Sequence, residues 1–586
     1  MAGQPKAPFY IVLLLVVAGL IGFALYRSDL FAPQGKTRVG EPIDPSKLGQ
    51  GPAQPGQKAE SMEAIAAPVT TVKEYGFKPA ERLPPIKGTS AYKPLEDNTV
   101  RFALNVWAGW GPIILANGGF KPDKVWRTPD GKEFKVELVL IDDPAAMIAS
   151  YASGQVHIGW GTLDMLPLFV DAMVDKTGRP KDSRVMPRVY QQVDWSNGGD
   201  GIVVRENIRT VADLREKQLV LAQNSPSQYF ALNMLVAGGV QPSEVNMIYT
   251  NTAFEAAAAF AANKGIAGAV SWAPDIYNLA KVKGNRMLVN TQTANKLIAD
   301  VWFARADFAQ DHPGIIEGLV RGIFDAMEEL KKPEQKAACS KLMADGYSIP
   351  AEDALAMFGD AHNTNWAENY QFFVNQNNPT NFERIWRQAY YLYRQIGTIQ
   401  NSPVRFDQVM DFSIIQKLGQ EEKYKSQRDE YQIQLAPKTV GEIRAESPEI
   451  LTNTVVIHFY PNDWNLHKKI TREVDGRSEE VPYDPNVDNV LEGVAKLVGQ
   501  FGAARVIIEG HTDSSLKGQV PVELVKELSV NRANSVREEL VKRFNLEPSR
   551  FLVDGVGWDR PADPMSPFNQ AKNRRVEIKV YPAERQ

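Results

Sequence analysis

One uncharged apolar stretch near the N-terminus constrains this chain more than any other feature. The residues FYIVLLLVVAGLIGFALY, Phe9–Tyr26, carry no charged side chain over 18 positions, and about that length is needed for a helix to cross the roughly 30 Å core of a bilayer. A cleaved signal peptide is the alternative, but its apolar run is usually only about 7 to 15 residues, and no convincing small-x-small cleavage site follows here. Lys6 precedes the stretch and the large body follows it, which favours a cytoplasmic N-terminus. The sequence therefore predicts a cytoplasmic stub and a single-pass inner-membrane anchor over residues 1–32, with the body in the periplasm.

Residues 33–98 have the composition of a linker. They include ten prolines and seven glycines among 66 residues, which is typical of segments that cannot bury a core. Fully extended, the segment would reach roughly 200 Å, so it can hold a folded domain well away from a membrane. Its second half carries aromatic residues and is expected to lie against the domain that follows.

Charge and cysteine content exclude several classes of protein. Lys and Arg number 66 against 70 Asp and Glu, a net charge of -4, so no positive field attracts nucleic acid. The single cysteine, Cys339, excludes an intramolecular disulfide framework, a zinc ribbon and an iron–sulfur cluster held by this chain alone. With six histidines in all, we expect no metal and no other cofactor.

From Val100 onward, strand and helix patterns alternate. Apolar strands such as KVELVL, QLVLA and VNMIYT are separated by helices such as PAAMIASYA and one that begins at Pro226, which predicts a parallel sheet covered by helices. In such sheets ligands bind beyond the carboxyl ends of the strands, where helix N-termini present free N–H groups. Asn224, Ser225 and Ser227 surround one such N-terminus and would cradle a sulfonate, phosphate or carboxylate, although helix capping alone would also explain them.

Five motifs follow one another in this region: NVWAGWGPIILANGG, IDDPAAMIASYASGQVHIGWGTLDMLP, GGDGIVV, LAQNSPSQYFAL and AVSWAPD. In this order they resemble the type II periplasmic solute-binding proteins, the branch related to taurine, nitrate and aliphatic sulfonate binders that serve as substrate-binding components of ABC transporters. The resemblance implies a solute-binding domain over residues 99–430 whose two α/β lobes close on a small ligand. One lobe is expected at about 99–195 and 300–430, with residues 313–430 largely helical, and the other at about 196–299.

The expected solute site lies in four loops that follow predicted strands. Four tryptophans at strand ends favour a lined pocket, although any one of them would also serve as a core side chain. The loop carboxylates Asp200 and Asp275 can bind a ligand amine or cap a helix. The predicted solute-binding residues are Trp107, Trp110, Trp160, Gly161, Thr162, Asn224, Ser225, Ser227, Trp272 and Asp275.

After a polar connector at 431–450, residues 451–586 predict an α/β sandwich with mixed strands. Four motifs occur in order, VIIEGHTDSS, ELSVNRANSVREELV, VDGVGWDRP and NRRVEI, and they resemble the OmpA-like peptidoglycan-binding domain. The resemblance implies binding to the free carboxylate and amine of diaminopimelate in the peptidoglycan stem peptide. The sequence departs from the family pattern in the long turn after Asp513 and in Val525, where the family has Asn.

The matching positions suit this chemistry. Arg532 can form a bidentate contact with a carboxylate, and Asp513 can balance the ammonium group of the ligand. A purely structural Asp513–Arg532 salt bridge is the alternative. His511 has no nucleophile motif beside it and is expected to be structural. The predicted peptidoglycan-binding residues are Asp513, Arg532, Thr512, Leu528, Ser529 and Arg574.

These parts together predict a non-catalytic, membrane-anchored periplasmic protein that binds a small solute and tethers to peptidoglycan. A cell-envelope sensor or scaffold that signals ligand occupancy to a membrane transporter or signalling partner is the alternative. A stator-like subunit is less favoured because Phe9–Tyr26 has no ionisable residue for ion coupling. An enzyme of small-molecule metabolism is disfavoured because no His or Cys cluster supports catalysis.

Overall fold

The computed structural model describes residues 76–474 and 477–582, all within one compact unit, Glu60–Gln586. The predicted membrane anchor and the first part of the predicted linker lie outside the described residues. Over the described ranges, no helix is both long enough and apolar enough to cross a bilayer.

Strands and helices alternate along most of the chain, as the sequence predicts. The strands are β1 (Thr99–Leu104), β2 (Val125–Arg127), β3 (Glu133–Leu140), β4 (Ile158–Thr162), β5 (Pro187–Ser196), β6 (Asp200–Arg205), β7 (Gln218–Ala222), β8 (Asn246–Thr250), β9 (Gly268–Trp272), β10 (Asn285–Asn290), β11 (Ala299–Arg305), β12 (Ala361–Asn363), β13 (Leu451–Val455), β14 (Lys469–Val474), β15 (Arg477–Pro482), β16 (Arg505–His511), β17 (Phe551–Gly557) and β18 (Arg575–Tyr581). The helices are α1 (Gly111–Asn117), α2 (Pro144–Ala152), α3 (Leu166–Met173), α4 (Pro226–Ala237), α5 (Ala253–Ala262), α6 (Asp275–Lys281), α7 (Ala306–Asp311), α8 (Pro313–Glu329), α9 (Pro333–Tyr347), α10 (Ala351–Met357), α11 (Trp366–Phe373), α12 (Phe382–Gln395), α13 (Ser413–Leu418), α14 (Glu422–Lys425), α15 (Val440–Glu446), α16 (Val487–Gln500), α17 (Val522–Phe544) and α18 (Gln570–Asn573).

Two separate sheets form the middle of the chain. The first has seven strands in the order β12-β5-β11-β4-β1-β3-β2, and the second has five in the order β10-β6-β9-β7-β8. Parallel pairs such as β1 with β3 and β7 with β8 occur beside antiparallel pairs such as β11 with β4 and β6 with β9. The α/β class predicted from the alternating pattern is confirmed, but the sheets are mixed because β11 and β6 run against their neighbours.

The chain passes between these two sheets twice. It leaves the first sheet after β5, which ends at Ser196, and enters the second at Asp200; it returns between Asn290 and Ala299. Both connections are short, and both are buried at Ser196, Thr291 and Asn295. The space between the sheets is therefore bordered by two adjacent crossings, the arrangement expected of a two-lobed cleft.

Two local predictions differ from the structure. The pattern VADLREK predicts a helix, but only a single 3-10 turn forms at Val211–Leu214, where Thr210 and Asp213 form a capping box. Helix α17 begins at Val522, well before Ser529, because Pro521 provides the start of the helix and the residues VELVKE continue its apolar face. The turn after Asp513 is consequently shorter than the sequence predicts.

The second half of the predicted linker lies along the domain that follows it. Arg82 forms an ion pair with Asp171 of α3 at 2.7 Å, and the backbone N–H of Ser90 donates to Ala152 at 3.2 Å. The Tyr92 ring packs edge-on against Phe308 with centroids 5.5 Å apart. These contacts attach the segment to the lobe built on the first sheet.

The C-terminal region forms a third sheet with two long helices. The strand order is β13-β18-β16-β17, with β16 parallel to β17 and antiparallel to β18. Helix α17 packs against β16 and β17, and apolar side chains of α16 such as Leu491 and Val498 are buried. Between β13 and α16, strands β14 and β15 pair with each other in an antiparallel arrangement.

Candidate functional site

A row of polar residues crosses one edge of the first sheet. Asp300 of β11 is in register with Thr162 of β4 on one side and with Asp194 of β5 on the other, and Asp194 is in register with Asn363 of β12. Residues in register on antiparallel strands project to the same face. Thr162, Asp194 and Asp300 are each at least nine-tenths buried, so two carboxyl groups are placed side by side out of bulk water.

A third carboxyl group lies where the chain enters the second sheet. Asp200 is the first residue of β6 and is 5% exposed. Its Oδ2 accepts a hydrogen bond from Ser196 Oγ at 2.7 Å, and Ser196 Oγ also lies 2.8 Å from Thr291 Oγ1. The Thr291 hydroxyl in turn accepts hydrogen bonds from the N–H groups of Gly198 and Asp200. The two crossings between the lobes are therefore joined by one polar network that includes Asp200.

The indole of Trp107 connects the carboxyl row to this crossing. Its Nε1 donates to both oxygens of Asp194 at 3.2 Å, and a Cβ on Gly199 would lie 2.3 Å from the far edge of the ring. The backbone carbonyl of Trp107 accepts a hydrogen bond from Tyr347 Oη at 2.9 Å. A Cβ on Gly109 would lie only 1.6 Å from Asp194 Oδ2, so the carboxyl can occupy its position only beside a glycine.

A fourth carboxyl group, Asp164, lies just after β4 and faces the second sheet. It is fully buried, and neither oxygen accepts a hydrogen bond within 3.5 Å from a described residue. The buried hydroxyls of Thr162 and Tyr229 are likewise without a partner, and Tyr229 is on α4 of the second lobe. Burial, with a smaller contribution from Asp164, raises the pKa of Tyr393 on α12. The Tyr393 hydroxyl donates to the carbonyl of Ser225 at 3.4 Å. Unpaired polar groups of both lobes thus meet around Asp164.

Burial shifts the protonation of all four carboxyl groups in the same direction. Desolvation, followed by smaller effects of neighbouring groups, raises the pKa of Asp164 to about 7 and that of Asp200 to about 7. Burial also raises the pKa values of Asp194 and Asp300, and the two carboxyl groups act on each other. Among the described residues, no lysine or arginine forms an ion pair with any of the four. Each would become more acidic if a cation entered the space between the lobes.

Several predicted solute-binding residues lie elsewhere or have other partners. Trp110 and Trp160 are at most 4% exposed, and their indole N–H groups donate to Asn105 Oδ1 and to the Ile141 carbonyl. Gly161 is buried against Leu166 and Phe169. These tryptophans therefore have the core packing that the sequence left open as the alternative.

At the predicted anion cradle at the start of α4, Asn224 and Ser225 have hydrogen-bond partners within the protein and Ser227 does not. Asn224 has a positive φ of 53°, its N–H donates to Gln228 Oε1 at 2.7 Å, and its side-chain amide donates to the carbonyl of Glu81. Ser225 Oγ donates to the Ala222 carbonyl, whereas the buried hydroxyl of Ser227 has no partner. Trp272 is half-buried with an unpartnered Nε1, and Asp275 begins α6, where burial raises its pKa.

Sequence reasoning missed Asp164, Asp194 and Asp300. Each is a single charged residue inside an apolar stretch, in GTLDMLP, QQVDWS and LIADVWF. A lone carboxylate in a stretch that otherwise predicts a buried strand is costly unless it is protonated or paired. A search for such isolated carboxylates would have identified all three residues.

In the C-terminal sheet, Asp513 follows β16 and forms its ion pair with Arg574. Arg574 Nε donates a short hydrogen bond to Asp513 Oδ2, and both side chains are at most 5% exposed. Asp513 Oδ1 accepts from the N–H of Ser515 at 2.6 Å. Two residues predicted for peptidoglycan binding are therefore in direct contact, with the carboxylate held in place by a guanidinium.

Arg532 lies on α17 and contacts the loop after β13. Its Nε donates to the carbonyl of Asp463 at 3.1 Å, and its guanidinium lies 5.1 Å from the centre of the Phe459 ring. Leu528 and Ser529, one turn earlier, are buried, and Ser529 Oγ accepts from the N–H of Gly557 at 3.0 Å. Thr512 lies between His511 and Asp513 with an unpartnered hydroxyl.

Among the described residues, the histidine and carboxylates close enough to share a metal ion are Glu509, His511 and Glu577. His511 Nε2 lies 3.0 Å from Glu509, and its exposed fraction is 3%, at the end of β16. Basic side chains form ion pairs with the same two carboxylates, so their negative charge is already balanced. These side chains are Arg444, Arg560, Arg575 and Lys579.

Comparison with known proteins identifies both regions. Residues 478–575 match the model of the OmpA family, and residues 188–337 match the model described as NMT1/THI5 like. Both resemblances recognised in the sequence are confirmed: an NMT1/THI5-like solute-binding domain precedes an OmpA family domain in one chain.

Individual relatives match one region each. The taurine-binding periplasmic protein of Escherichia coli is 27% identical over 212 residues, 34% of this chain and 62% of the relative. Outer membrane protein Omp38 of Acinetobacter baumannii is 33% identical over 115 residues, 20% of this chain and 30% of the relative. This chain therefore spans less than two thirds of the length of each.

A solved structure aligns over about half of the chain. The periplasmic aliphatic sulphonate binding protein SsuA of Escherichia coli is 19% identical with a TM-score of 0.41, and the alignment covers 53% of this chain and 97% of that protein.

Proposed function

We propose that this protein is a non-catalytic cell-envelope receptor that binds a small solute between two lobes and binds peptidoglycan through its C-terminal domain. In this proposal residues 1–32 anchor the chain in the inner membrane, 33–98 form the spacer, 99–430 bind the solute, and 431–450 connect to the wall-binding domain at 451–586. The body then lies in the periplasm.

The observation that carries the proposal is the group of four buried carboxyl groups beside the two crossings between the sheets. Asp194 and Asp300 from the first lobe, Asp200 from the second, and Asp164 between them are buried without cationic partners. Asp194 and Asp200 accept hydrogen bonds from neutral groups of the chain, whereas the oxygens of Asp164 have no partner within 3.5 Å. Buried polar groups are normally paired, so these uncompensated carboxyl groups beside the two crossings support binding of a solute there. The likeness to a taurine-binding protein supports the same class of activity.

Binding to the cell wall is supported by the second domain. The OmpA family match includes Asp513, Arg532 and Arg574, and the Asp513–Arg574 ion pair keeps the carboxylate fixed beside the loop that follows β16. We propose that Arg532 contacts the carboxylate of diaminopimelate and that the Asp513 turn contacts its ammonium group.

Sedimentation of the full chain with purified diaminopimelate-type peptidoglycan tests this half of the proposal. We expect Arg532→Ala to remain in the supernatant while the wild type sediments. The matched control is Lys542→Ala, an exposed cation on the same helix, which should sediment like the wild type. Equal sedimentation of Arg532→Ala and wild type would remove Arg532 from the site.

The sensor alternative is favoured by contacts between the wall-binding domain and both lobes. The side-chain amide of Asn453 donates to the carbonyl of Ala237, on the second lobe, at 2.8 Å, and Arg384 of α12 forms an ion pair with Glu492 at 3.1 Å. Tyr431 of the connector donates to Asn197, at one of the two crossings, at 2.8 Å. If lobe closure changes these contacts, solute and peptidoglycan must affect each other's affinity equally. Peptidoglycan affinity measured with and without a saturating solute tests this alternative, and equal affinities would contradict it.

A further inference from the structure

We propose that the cleft binds an organic cation that carries amino or guanidinium groups, held by Asp164, Asp194, Asp200 and Asp300. This inference rests on the proposed solute-binding function and assigns the chemical class of its ligand. It differs from the sulfonate, phosphate or carboxylate that the sequence suggested for the same region.

The charge of the cleft decides between the two classes. An anion between the lobes would face four buried carboxyl groups, and no lysine or arginine of the described residues forms an ion pair with any of them. At the start of α4, the other place where an anion would bind, the N–H of Asn224 is already used by Gln228 and its side chain by Glu81. The charged groups offered to a solute are therefore carboxyl groups, because the unpartnered donors of the second lobe, Ser227 Oγ, Gln228 Nε2 and Trp272 Nε1, are neutral.

Polar groups around Asp164 that lack partners provide independent support. Both oxygens of Asp164 and the hydroxyls of Thr162 and Tyr229 have no hydrogen-bond partner within 3.5 Å among the described residues, and all three residues are at least nine-tenths buried. The hydroxyls of Thr162 and Tyr393 are still near enough to Asp164 to lower its pKa slightly against the effect of burial. Leaving such groups unpaired costs about 1 to 3 kcal/mol each. A ligand with several N–H donors satisfies the carboxylate and both hydroxyls at once.

The spacing of the carboxyl groups favours an organic cation over a metal ion. The ligands of a metal ion must converge on one point. Among the described residues, no three of these four aspartates have carboxylate oxygens that all lie within 4.8 Å of one another. Asp164 lies near Tyr229 of the second lobe, whereas Asp194 accepts a hydrogen bond from the indole N–H of Trp107. A molecule with donors at more than one position can reach both places, and the aromatic ring of Trp107 adds a favourable surface for a cation.

Calorimetric titration of the full-length protein tests this assignment. The cationic probes are 1,4-diaminobutane, agmatine and spermidine, and the anionic probes are taurine, methanesulfonate and nitrate. We expect at least one cationic probe to bind and the Asp194→Asn/Asp300→Asn variant to bind it at least tenfold more weakly. The matched control, Asp123→Asn, replaces an exposed carboxylate and should bind like the wild type.

A second variant, Asp164→Asn, keeps the test valid if the double variant does not fold, which sedimentation with peptidoglycan and circular dichroism would reveal. Binding of an anionic probe but of no cationic probe would overturn the ligand class and leave the proposed function intact. Failure of all six probes would contradict both. Equal binding of a cationic probe by the wild type and all Asn variants would place the ligand outside this cleft and overturn the inference.

Discussion

Asp194 and Asp300 lie directly opposite each other on neighbouring antiparallel strands, and both are buried. Like charges in this position repel, and burial alone already disfavours ionisation. The pair is therefore tolerable as neutral or singly ionised carboxyl groups in the empty protein, and as carboxylates only when a cation is close. The protonation state of Asp194 and Asp300 therefore depends on whether a cation is bound beside them.

The first prediction concerns pH. Carboxyl groups in an unfolded chain have pKa values near 4, whereas burial raises the pKa of Asp164 and of Asp200 to about 7. Between these two pH values the folded state binds more protons than the unfolded state. These groups therefore make their full contribution to the free energy of unfolding below about pH 4, and this contribution is lost as the pH rises through 7.

Burial raises the pKa of Asp194 and of Asp300 in the same direction, so the Asp194→Asn/Asp300→Asn variant should lose the part of the pH dependence that these two carboxyl groups contribute. Relative to the wild type it should gain stability with rising pH, by about 1.4 kcal/mol per pH unit for each carboxyl group replaced. Urea unfolding at several pH values between 4 and 8, followed by tryptophan fluorescence, measures the difference. A variant with the same pH dependence as the wild type would contradict the assigned burial effect, and Asp123→Asn serves as the control.

The second prediction concerns Gly109. A methyl group here would lie 1.6 Å from Asp194 Oδ2, so Gly109→Ala must displace the carboxyl group or the loop that carries Trp107. We expect a loss of about 1 to 3 kcal/mol in the free energy of unfolding and weaker solute binding. Gly493→Ala is the control, because its added Cβ would meet nothing within 4 Å and alanine favours the helix. A Gly109→Ala protein as stable as wild type would show that the loop can relax freely.

The third prediction concerns the Asp513–Arg574 ion pair. Replacing one partner of a buried pair leaves an uncompensated charge and typically costs about 3 to 5 kcal/mol. We therefore expect Arg574→Met to be strongly destabilised, and Asp513→Asn combined with Arg574→Met to be less destabilised than the sum of the two single changes. A double-mutant cycle on thermal stability measures this coupling, and additive effects would argue against a direct interaction.

The fourth prediction tests how the sheet positions Arg532. A Cβ on Gly510 of β16 would lie 2.1 Å from the backbone oxygen of Ser529 on α17, and both atoms belong to regular elements that cannot move independently. Gly510→Ala should push the helix away and reduce sedimentation with peptidoglycan without removing any polar group of the proposed site. Retention equal to that of wild type would mean that the site does not depend on this packing.

The fifth prediction uses the single thiol as a probe. Burial raises the pKa of Cys339 to about 12, and its Sγ lies 3.2 Å from the carbonyl of Gly111. The thiolate is the reactive form, so a thiol reagent at pH 8 should label the native protein negligibly and label one thiol per chain after urea unfolding. Rapid labelling of the native protein would show that α9 separates readily from α1.

Much of the architecture was predictable from local patterns. Alternating apolar residues predicted most strands, helix signals such as Pro226 predicted α4, and motif order predicted both domains that the family comparisons confirm. One error concerns the residues of α17 before Ser529, which the sequence predicts as part of a long turn after Asp513, although the helix includes them.

The amino-acid sequence by itself determined the order of the parts: the apolar stretch, a segment rich in proline and glycine, the α/β region and the OmpA family region with Asp513, Arg532 and Arg574. Only the tertiary structure decided what the cleft contains. Asp164, Asp194, Asp200 and Asp300 are distant along the chain, and cross-strand register and the two crossings between sheets bring them together. The preference for a cation arises from that juxtaposition, because desolvation and mutual repulsion depend on distances in space, which no single stretch of sequence contains.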